Sequence, residues 1–392
     1  MALDTVSIVG AGHTPFGRFD AQTLEELIVS ATREALADAG IGGDEVDAVY
    51  LGHFNSGLVP DAFAASLPAQ ADPGLRFKPA TRCENACASG SAALFSAMSA
   101  IQSGKADVVL VVGAEKMSAN STADVTRALA GAGYQNDPEE AALSFPQVFA
   151  LAATQYAERY QDPLPAMAHI AAKNHANALS NPLAQMRREM SFDACNTVSE
   201  KNPLIAPPLR LTDCSLITDG AAAVVLCSAR AAARFKKQVD IRAAVQVNDF
   251  LPMKGRDLLA FEGPKRAIQG ALQHASIELG DLNFAEVHDC FTIAELLIYE
   301  AMGLAPAGQG YRALEDGTVY PGGSLPVNLS GGLKAKGHPV GATGVSMHAI
   351  SFRQLTGTAG DMQLKSPALG LVFNMGGAAV ANHATILETK RS

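Results

Sequence analysis

Three short segments of this 392-residue chain carry side chains that could do chemistry together. In CENACASGSAALFSAMSAI, residues 83–101, Cys87 heads a run of small residues from Ala88 to Ala93. Leu94, Met98 and Ile101 then recur at helical spacing, which predicts a helix starting at or just after the cysteine. Unpaired N–H groups and the positive end of the helix dipole favour a thiolate there. The same N–H groups can donate to an oxyanion formed on an acyl group attached to the sulfur. Read alone, the segment fits a buried structural cysteine equally well.

A cysteine nucleophile needs a base, and GLKAKGHPVGATG offers His338. Gly337 and Gly341 on either side permit close approach of a ligand or another backbone, and Pro339 fixes the turn. A glycine-rich turn with an incidental histidine is the alternative. The third segment, EVHDCF, sets His288, Asp289 and Cys290 at the end of a hydrophobic run, just before the helical pattern TIAELLIYEAMG. Titratable groups at the carboxyl end of a strand suit a ligand-facing loop. Asp289 could instead cap the following helix.

Competing motifs are weaker. GAGHTP follows a strand-like run, but Pro15 stands where a dinucleotide fingerprint needs its third glycine, so a strand-to-loop turn is the better reading. Cys83 and Cys87 have zinc-knuckle spacing without a second pair nearby, and His169 and His175 lack ligand spacing, so no metal site is predicted. Cys195, Cys214 and Cys227 read as structural. His13, His53, His274 and His383 read as surface or strand-end histidines.

The elements that would position these groups alternate. TVSIVGAG, DAVYLGHF and ADVVLVVGAE are strand-like, with the helix LEELIVSATREALADAG ending at Gly40 and the Cys87 helix between them. Such alternation predicts a layered, mostly parallel α/β sheet. From about Ser118 to Thr212 the texture turns to loop and helix, with PAMAHIAAKNHANAL reading as a surface helix and the whole as a substrate lid. ALADAGIGGDEVDAVYLGHF, from Ala35, overlays ALQHASIELGDLNFAEVHDCF, from Ala271, with one residue inserted. That long period predicts a duplicated domain with a site at the junction of its halves. The predicted boundaries are 1–118 plus 214–238 for the first half, 119–213 for the insertion and 239–392 for the second half.

Composition limits the partners. A net charge of −9 with no long basic run excludes a nucleic-acid face. No apolar stretch reaches membrane-spanning length. MALDTVSIVGAG has no basic leader and the terminal TKRS is not a peroxisomal address. Six scattered cysteines read as reduced thiols, and the expected compartment is the cytoplasm of a bacterium or archaeon.

Taken together, NACASGSAAL, EVHDCFTIAELLIYEAMGL, SGGLKAKGHPVGATG and TDGAAAVVL resemble the thiolase superfamily, and within it the sterol-carrier-protein type, over nearly the whole chain. His-Asp-Cys-Phe is the most diagnostic stretch, since many other thiolases carry Asn-Glu-Ala-Phe there. The resemblance implies two α/β halves in a five-layered αβαβα core, and a homodimer or tetramer of dimers. It implies Cys87 as acyl-accepting nucleophile, His338 as its base, and His338 with His288 polarising the thioester oxygen. Most thiolases carry a second catalytic cysteine in a Cys-x-Gly segment near the carboxyl end. Here that segment reads LVFNMGGAA, with Phe373 and Asn374 in its place, and the resemblance transfers the acid/base role to Cys290. N–H groups of Cys87 and of the turn from Met375 through Gly376 to Gly377 would hold the acyl oxygen, and Ser228 would contact coenzyme A. Coenzyme A and acyl-coenzyme A are then substrates, and no resident cofactor is implied. Rival readings are a related condensing enzyme or aldolase on the same scaffold, and a thiolase-like subunit dependent on a small OB-type or acyl-carrier partner.

Overall fold

The buried strand β1 (Val6–His13) is the strand from which both halves of the fold are built. The computed structural model describes residues 5–390; the terminal residues that bear on a leader or a terminal address lie outside the described residues. After β1 come α1 (Leu24–Ala39), β2 (Ala48–Gly52), β3 (Ala80–Cys83), α2 (Ser89–Gln102) and β4 (Val108–Glu115). The stretch that follows holds α3 (Thr122–Ala130), α4 (Pro138–Ala141), α5 (Phe145–Arg159), α6 (Leu164–Ala178), α7 (Phe192–Asn196) and the small hairpin β5 (Leu204–Ala206) and β6 (Leu209–Arg210). β7 (Gly220–Ser228) and the single turn α8 (Ala229–Ala232) close the first half. The second runs β8 (Val239–Asn248), α9 (Glu262–Ala275), β9 (Phe284–Val287), α10 (Thr292–Met302), α11 (Arg312–Glu315), α12 (Thr343–Leu355), β10 (Leu369–Gly376) and β11 (Ala381–Thr389).

The sequence dictates these elements locally. Helix α1 starts at a capping box in which Thr23 and Glu26 satisfy each other's backbone N–H, and it stops at Gly40 with φ 72°. Its Leu24, Leu27, Ile28, Ala31 and Ala35 form one buried stripe laid on the first half-sheet. Gly10 and Gly12 lie inside β1 rather than in a turn after it. A Cβ at Gly12 would sit 2.1 Å from the Ala31 carbonyl oxygen, so these glycines let strand and helix touch.

Strand order is β3-β2-β4-β7-β1-β8-β11-β10-β9. In the first half β1 and β4 flank β7 antiparallel, and β2 runs parallel to both β4 and β3. The second half repeats the plan. β8 and β10 flank β11 antiparallel, β9 runs parallel to β10, and Val327 bridges Ala285 in parallel where a fifth strand would lie. Among the described residues the two half-sheets pair through Ser7 with Asp240 and Ile8 with Val239. The overlaid sequence segments occupy equivalent places: a helix end, a 3-10 turn (Gly43–Glu45, Leu279–Asp281) and a strand (β2, β9). The sheet is thus continuous at one narrow seam yet duplicated in plan. α1 and α9 cover the outer faces while α2 and α12 fill the space between, which gives five layers.

Helix α6 departs from its expected surface position. Met167, Ile170, Lys173, Asn174 and His175 are all buried, because the polar residues of this helix bind inward to acidic groups near β9 and α10. Apolar and polar residues of α6 alike are buried, and only a narrow stripe through His169 and Ala176 stays exposed.

Between the halves α2 and α12 approach almost backbone to backbone. A Cβ at Gly90 would lie 2.8 Å from the Val345 nitrogen, and one at Gly344 would lie 2.4 Å from the Ser91 nitrogen. Gly344→Ala should therefore lower stability by about 1–3 kcal/mol through overpacking. Denaturant unfolding of the variant checks this, and an unchanged midpoint would show that the helices have room to separate.

Candidate active site

Both central helices begin at the same place, so the segments leading into them meet. Cys87 lies two residues before α2, after Ala86, whose φ of 50° turns the chain sharply into the helix. His338 follows a π-helical turn, Gly332–Lys336, and precedes α12. His288 follows β9. The Cys87 sulfur and one ring nitrogen from each of His288 and His338 all lie within 4.8 Å of one another. Nδ1 of His338 is 2.7 Å from Thr343 Oγ1, and Nδ1 of His288 is 2.9 Å from Asn374 Nδ2. Nε2 is thus the nitrogen each ring has free for the sulfur, and in His338 it is a buried atom without a partner. The two rings stand edge to face, centroids 5.1 Å apart.

Cys290 is buried beside this trio, close enough for the Cys87 sulfur to influence its titration, but outside the 4.8 Å cluster. Its carbonyl accepts from Ser215 N–H at 2.9 Å. Gly377 N–H points at the Cys87 sulfur and favours its anion. Gly376, at the end of β10, has no room for a side chain, since a Cβ would lie 2.2 Å from the Asn85 carbonyl oxygen. A cleft of about 480 Å³, bounded by Phe54, Arg82, Ala86, Leu251, Gly376 and Gly377, opens beside the cysteine and is of ligand-binding size.

Burial governs the charge state. Cys87 is still reachable by solvent, yet the surrounding protein pushes its thiol up to about 12, and the Glu115 carboxylate adds to the effect. Burial, with help from Lys336, pulls His338 down to about 3, and His288 is held well below the usual imidazole range by burial and by His338. The thiolate expected from the helix-start position is therefore not the resting form. Burial favours a neutral thiol and a neutral imidazole at rest.

Two buried carboxylates hold the loops. Glu115, at the end of β4, accepts N–H bonds from Phe54, Asn55 and Gly341, and its Oε1 lies 3.1 Å from His53 Nε2. Asp289 accepts N–H bonds from Leu333 and Lys334 at 2.6 and 3.2 Å, and from Asn174 Nδ2 at 2.8 Å. It does not cap α10. It fastens the turn before His338 to the His288 segment and to α6. Burial and the Glu295 charge raise its carboxyl to about 7, while Glu295 itself pairs with Lys173 at 2.8 Å. Phe149 of α5 stacks on Phe291 with centroids 4.5 Å apart, so the insertion closes over the same segment.

Not every expected residue joins the site. Ser228 lies at the far end of β7 from Gly220, the residue that pairs with Glu115. It is fully buried, and its hydroxyl accepts from Ala231 N–H and donates to Asp107, so it is a helix cap. His13, His53 and His383 are buried rather than superficial. Asn374, Glu115 and Thr343 belong to the site without having been singled out for roles. The Asn at the place of an expected cysteine was the one available signal.

By element and distance, Cys87, His288 and His338 also match a three-ligand set for a soft divalent ion. Ligating histidines ordinarily donate their second N–H to a carboxylate or carbonyl. Here a hydroxyl and an amide NH₂ stand behind the rings, which suits acid–base and hydrogen-bonding work better.

A half-buried cysteine at the junction of duplicated α/β halves, with a histidine brought to it from the opposite half, is the arrangement of a thiolase-type acyltransferase. The chain belongs to the thiolase family: residues 6–230 match the family model described as thiolase, N-terminal domain, and residues 246–389 match that described as thiolase C-terminal domain-like. Among its relatives is an acetyl-CoA acetyltransferase of Methanothermobacter thermautotrophicus, 37% identical over 375 residues, which are 95% of this chain and 96% of the relative. Human sterol carrier protein 2 is 32% identical over 96% of this chain and 71% of its own length. Two solved structures share the fold. One is described as an Ltp2-ChsH2(DUF35) aldolase, with a TM-score of 0.84 and 22% identity over 99% of this chain and 98% of that one. The other is human mitochondrial 3-ketoacyl-CoA thiolase, with a TM-score of 0.76 and 19% identity over the whole of both. No helix among the described residues is long and apolar enough to cross a membrane.

The neutral resting pair makes a measurable demand. Iodoacetamide labelling of Cys87 should accelerate about tenfold per pH unit from 7 to 10, because only the thiolate reacts. A plateau below about pH 9 would mean that the dipole outweighs burial after all.

Proposed function

We propose that this acyltransferase catalyses reversible thiolysis of a 3-ketoacyl-coenzyme A, or in reverse a Claisen condensation, through an acyl-Cys87 intermediate. The observation that carries the reading is the unpartnered Nε2 of His338 within 4.8 Å of the Cys87 sulfur. His338 takes the thiol proton as the sulfur attacks the 3-keto carbon, which avoids any need for a standing thiolate. The N–H groups of Cys87 and Gly377 hold the oxygen that becomes negative. The bond between C2 and C3 breaks, and its electrons pass to the enolate of acetyl-coenzyme A, whose oxygen faces Nε2 of His288 and His338. Cys290, kept as a neutral thiol by burial, donates a proton to C2. Coenzyme A then enters as a thiol, returns a proton to Cys290 and takes the acyl group, while His338 reprotonates Cys87. Coenzyme A is a co-substrate, and no resident cofactor takes part. The cleft beside Gly377 admits the thioester, and the insertion over Phe291 sets acyl chain length.

Further features of the reading are a reduced cytoplasmic setting, supported by six free cysteines, and a homodimer or a tetramer of dimers. The exposed edge strand β3 supports pairing through the first half. A second reading has one observation in its favour: one of the structural neighbours was solved as an assembly with a DUF35 component. In that reading the chain works with a small OB-type subunit, and the isolated chain would acetylate Cys87 yet condense poorly until the partner is supplied.

Cys87→Ser should lower turnover at least about a thousandfold and abolish the acyl adduct, because a hydroxyl is far less acidic than a thiol. An acetyl group found by mass spectrometry on another residue would overturn the assignment. Cys290→Ala should still accept an acetyl group on Cys87, while condensation and α-proton exchange fall by about 10² to 10⁴. Equal losses in acetylation and condensation would make Cys290 structural.

A further inference from the structure

We infer that Asn374 is a positioning residue: its amide locks His288 as the Nε2–H tautomer, so that His288 donates to the substrate's thioester oxygen and cannot serve as the base at the α-carbon. The inference rests on the proposed acyl-transfer reading for its consequence, but the lock itself is a matter of geometry.

Asn374 lies on β10, is fully buried, and with Phe373 stands where the resemblance to thiolases places a second cysteine. Its Nδ2 lies 3.3 Å from the Cys87 carbonyl oxygen and 2.9 Å from His288 Nδ1, and its Oδ1 accepts from Ser91 Oγ at 2.8 Å. A carbonyl oxygen can only accept, so the Cys87 carbonyl requires the NH₂ end of the amide on its side. Turning the amide over would set two oxygens against each other at that contact, while the Ser91 hydroxyl, which can donate or accept, suits either orientation. The orientation is therefore assigned by the network around the side chain. With an NH₂ group directed at Nδ1, that nitrogen must be the acceptor, and a neutral ring then carries its proton on Nε2. Burial keeps the ring neutral.

Both ends of the lock are rigid. Ser91 belongs to α2, and Gly344 of α12 lies against Ser91 and Asn374 so closely that a Cβ would come within 2.6 Å of Oδ1. The Nε2–H enters the space shared with Cys87 and His338. One histidine thus brings a proton and the other a lone pair. His288 with a proton on Nε2 has no lone pair there to take one from carbon, so that task falls to another group, Cys290 in the proposed mechanism.

The test is nitrogen-15 NMR of histidine-labelled enzyme, with His288→Gln identifying the signal. In the native protein His288 should show a protonated Nε2 and a bare Nδ1. Asn374→Asp offers only acceptors, so it should move a proton onto Nδ1. Asn374→Leu, which introduces no charge, should release the ring into a mixture of tautomers. In either variant kcat for condensation and α-proton exchange should fall by about 10² or more, as for a lost oxyanion donor, with KM changed only a few-fold. Acetylation of Cys87 should stay within about tenfold, since the Cys87 and Gly377 N–H groups serve that step. An Nδ1–H signal in the native enzyme, or a His288 signal unmoved in the variants, would overturn the lock. Failure of the native enzyme to acetylate Cys87 would instead sink the acyl-transfer reading and leave the tautomer result standing.

Discussion

Contact between the backbones of α2 and α12 is the constraint on which the rest depends. Two helices approach this closely only where side chains are absent, and Gly90 and Gly344 supply that absence. Because α2 belongs to the first half and α12 to the second, their touching starts bring Cys87 from one half to His338 from the other. Neither half holds a competent site alone. A narrow two-pair seam between β1 and β8 suffices to join the sheets, since the central layer fixes how the halves face each other.

The loops that carry the reacting groups are held by buried carboxylates rather than by apolar packing. Glu115 and Asp289 play parallel parts: each accepts backbone N–H bonds from the segment before α12, and Glu115 adds N–H bonds from the residues after β2 while Asp289 adds one from the Asn174 side chain of α6. An acceptor with several N–H partners fixes a loop more sharply than apolar contact would, because each bond has direction. The duplicated plan makes the contrast between halves visible. At the end of β2, His53 lies beside Glu115, whereas just past the end of β9 His288 faces Cys87.

Much of this was legible in the sequence. The helix start at Cys87, the strand before His288 and the overlay of residues 35–54 on 271–291 all follow from periodicity and glycine placement, which are local signals. Less legible was whatever depends on two segments meeting. The polar face of α6 looked like a solvent face because Lys173 and Asn174 give no hint that Glu295 and Asp289 await them inside. Ser228 looked like a ligand contact because a serine at a strand end can face either way, and only the direction of β7 decides. The expected thiolate at Cys87 came from a correct local argument about the helix dipole, overruled by a desolvation that only the assembled halves impose.

That last feature bears on durability. Peroxide attacks thiolates, and oxidation beyond the sulfenic acid is largely irreversible. In the proposed reaction Cys87, a half-buried thiol that its surroundings keep protonated, is ionised only when His338 takes its proton, and so presents little thiolate to oxidants between turnovers. Desolvation that looks like an obstacle to catalysis would thereby shelter the sulfur on which the proposed acyl intermediate forms.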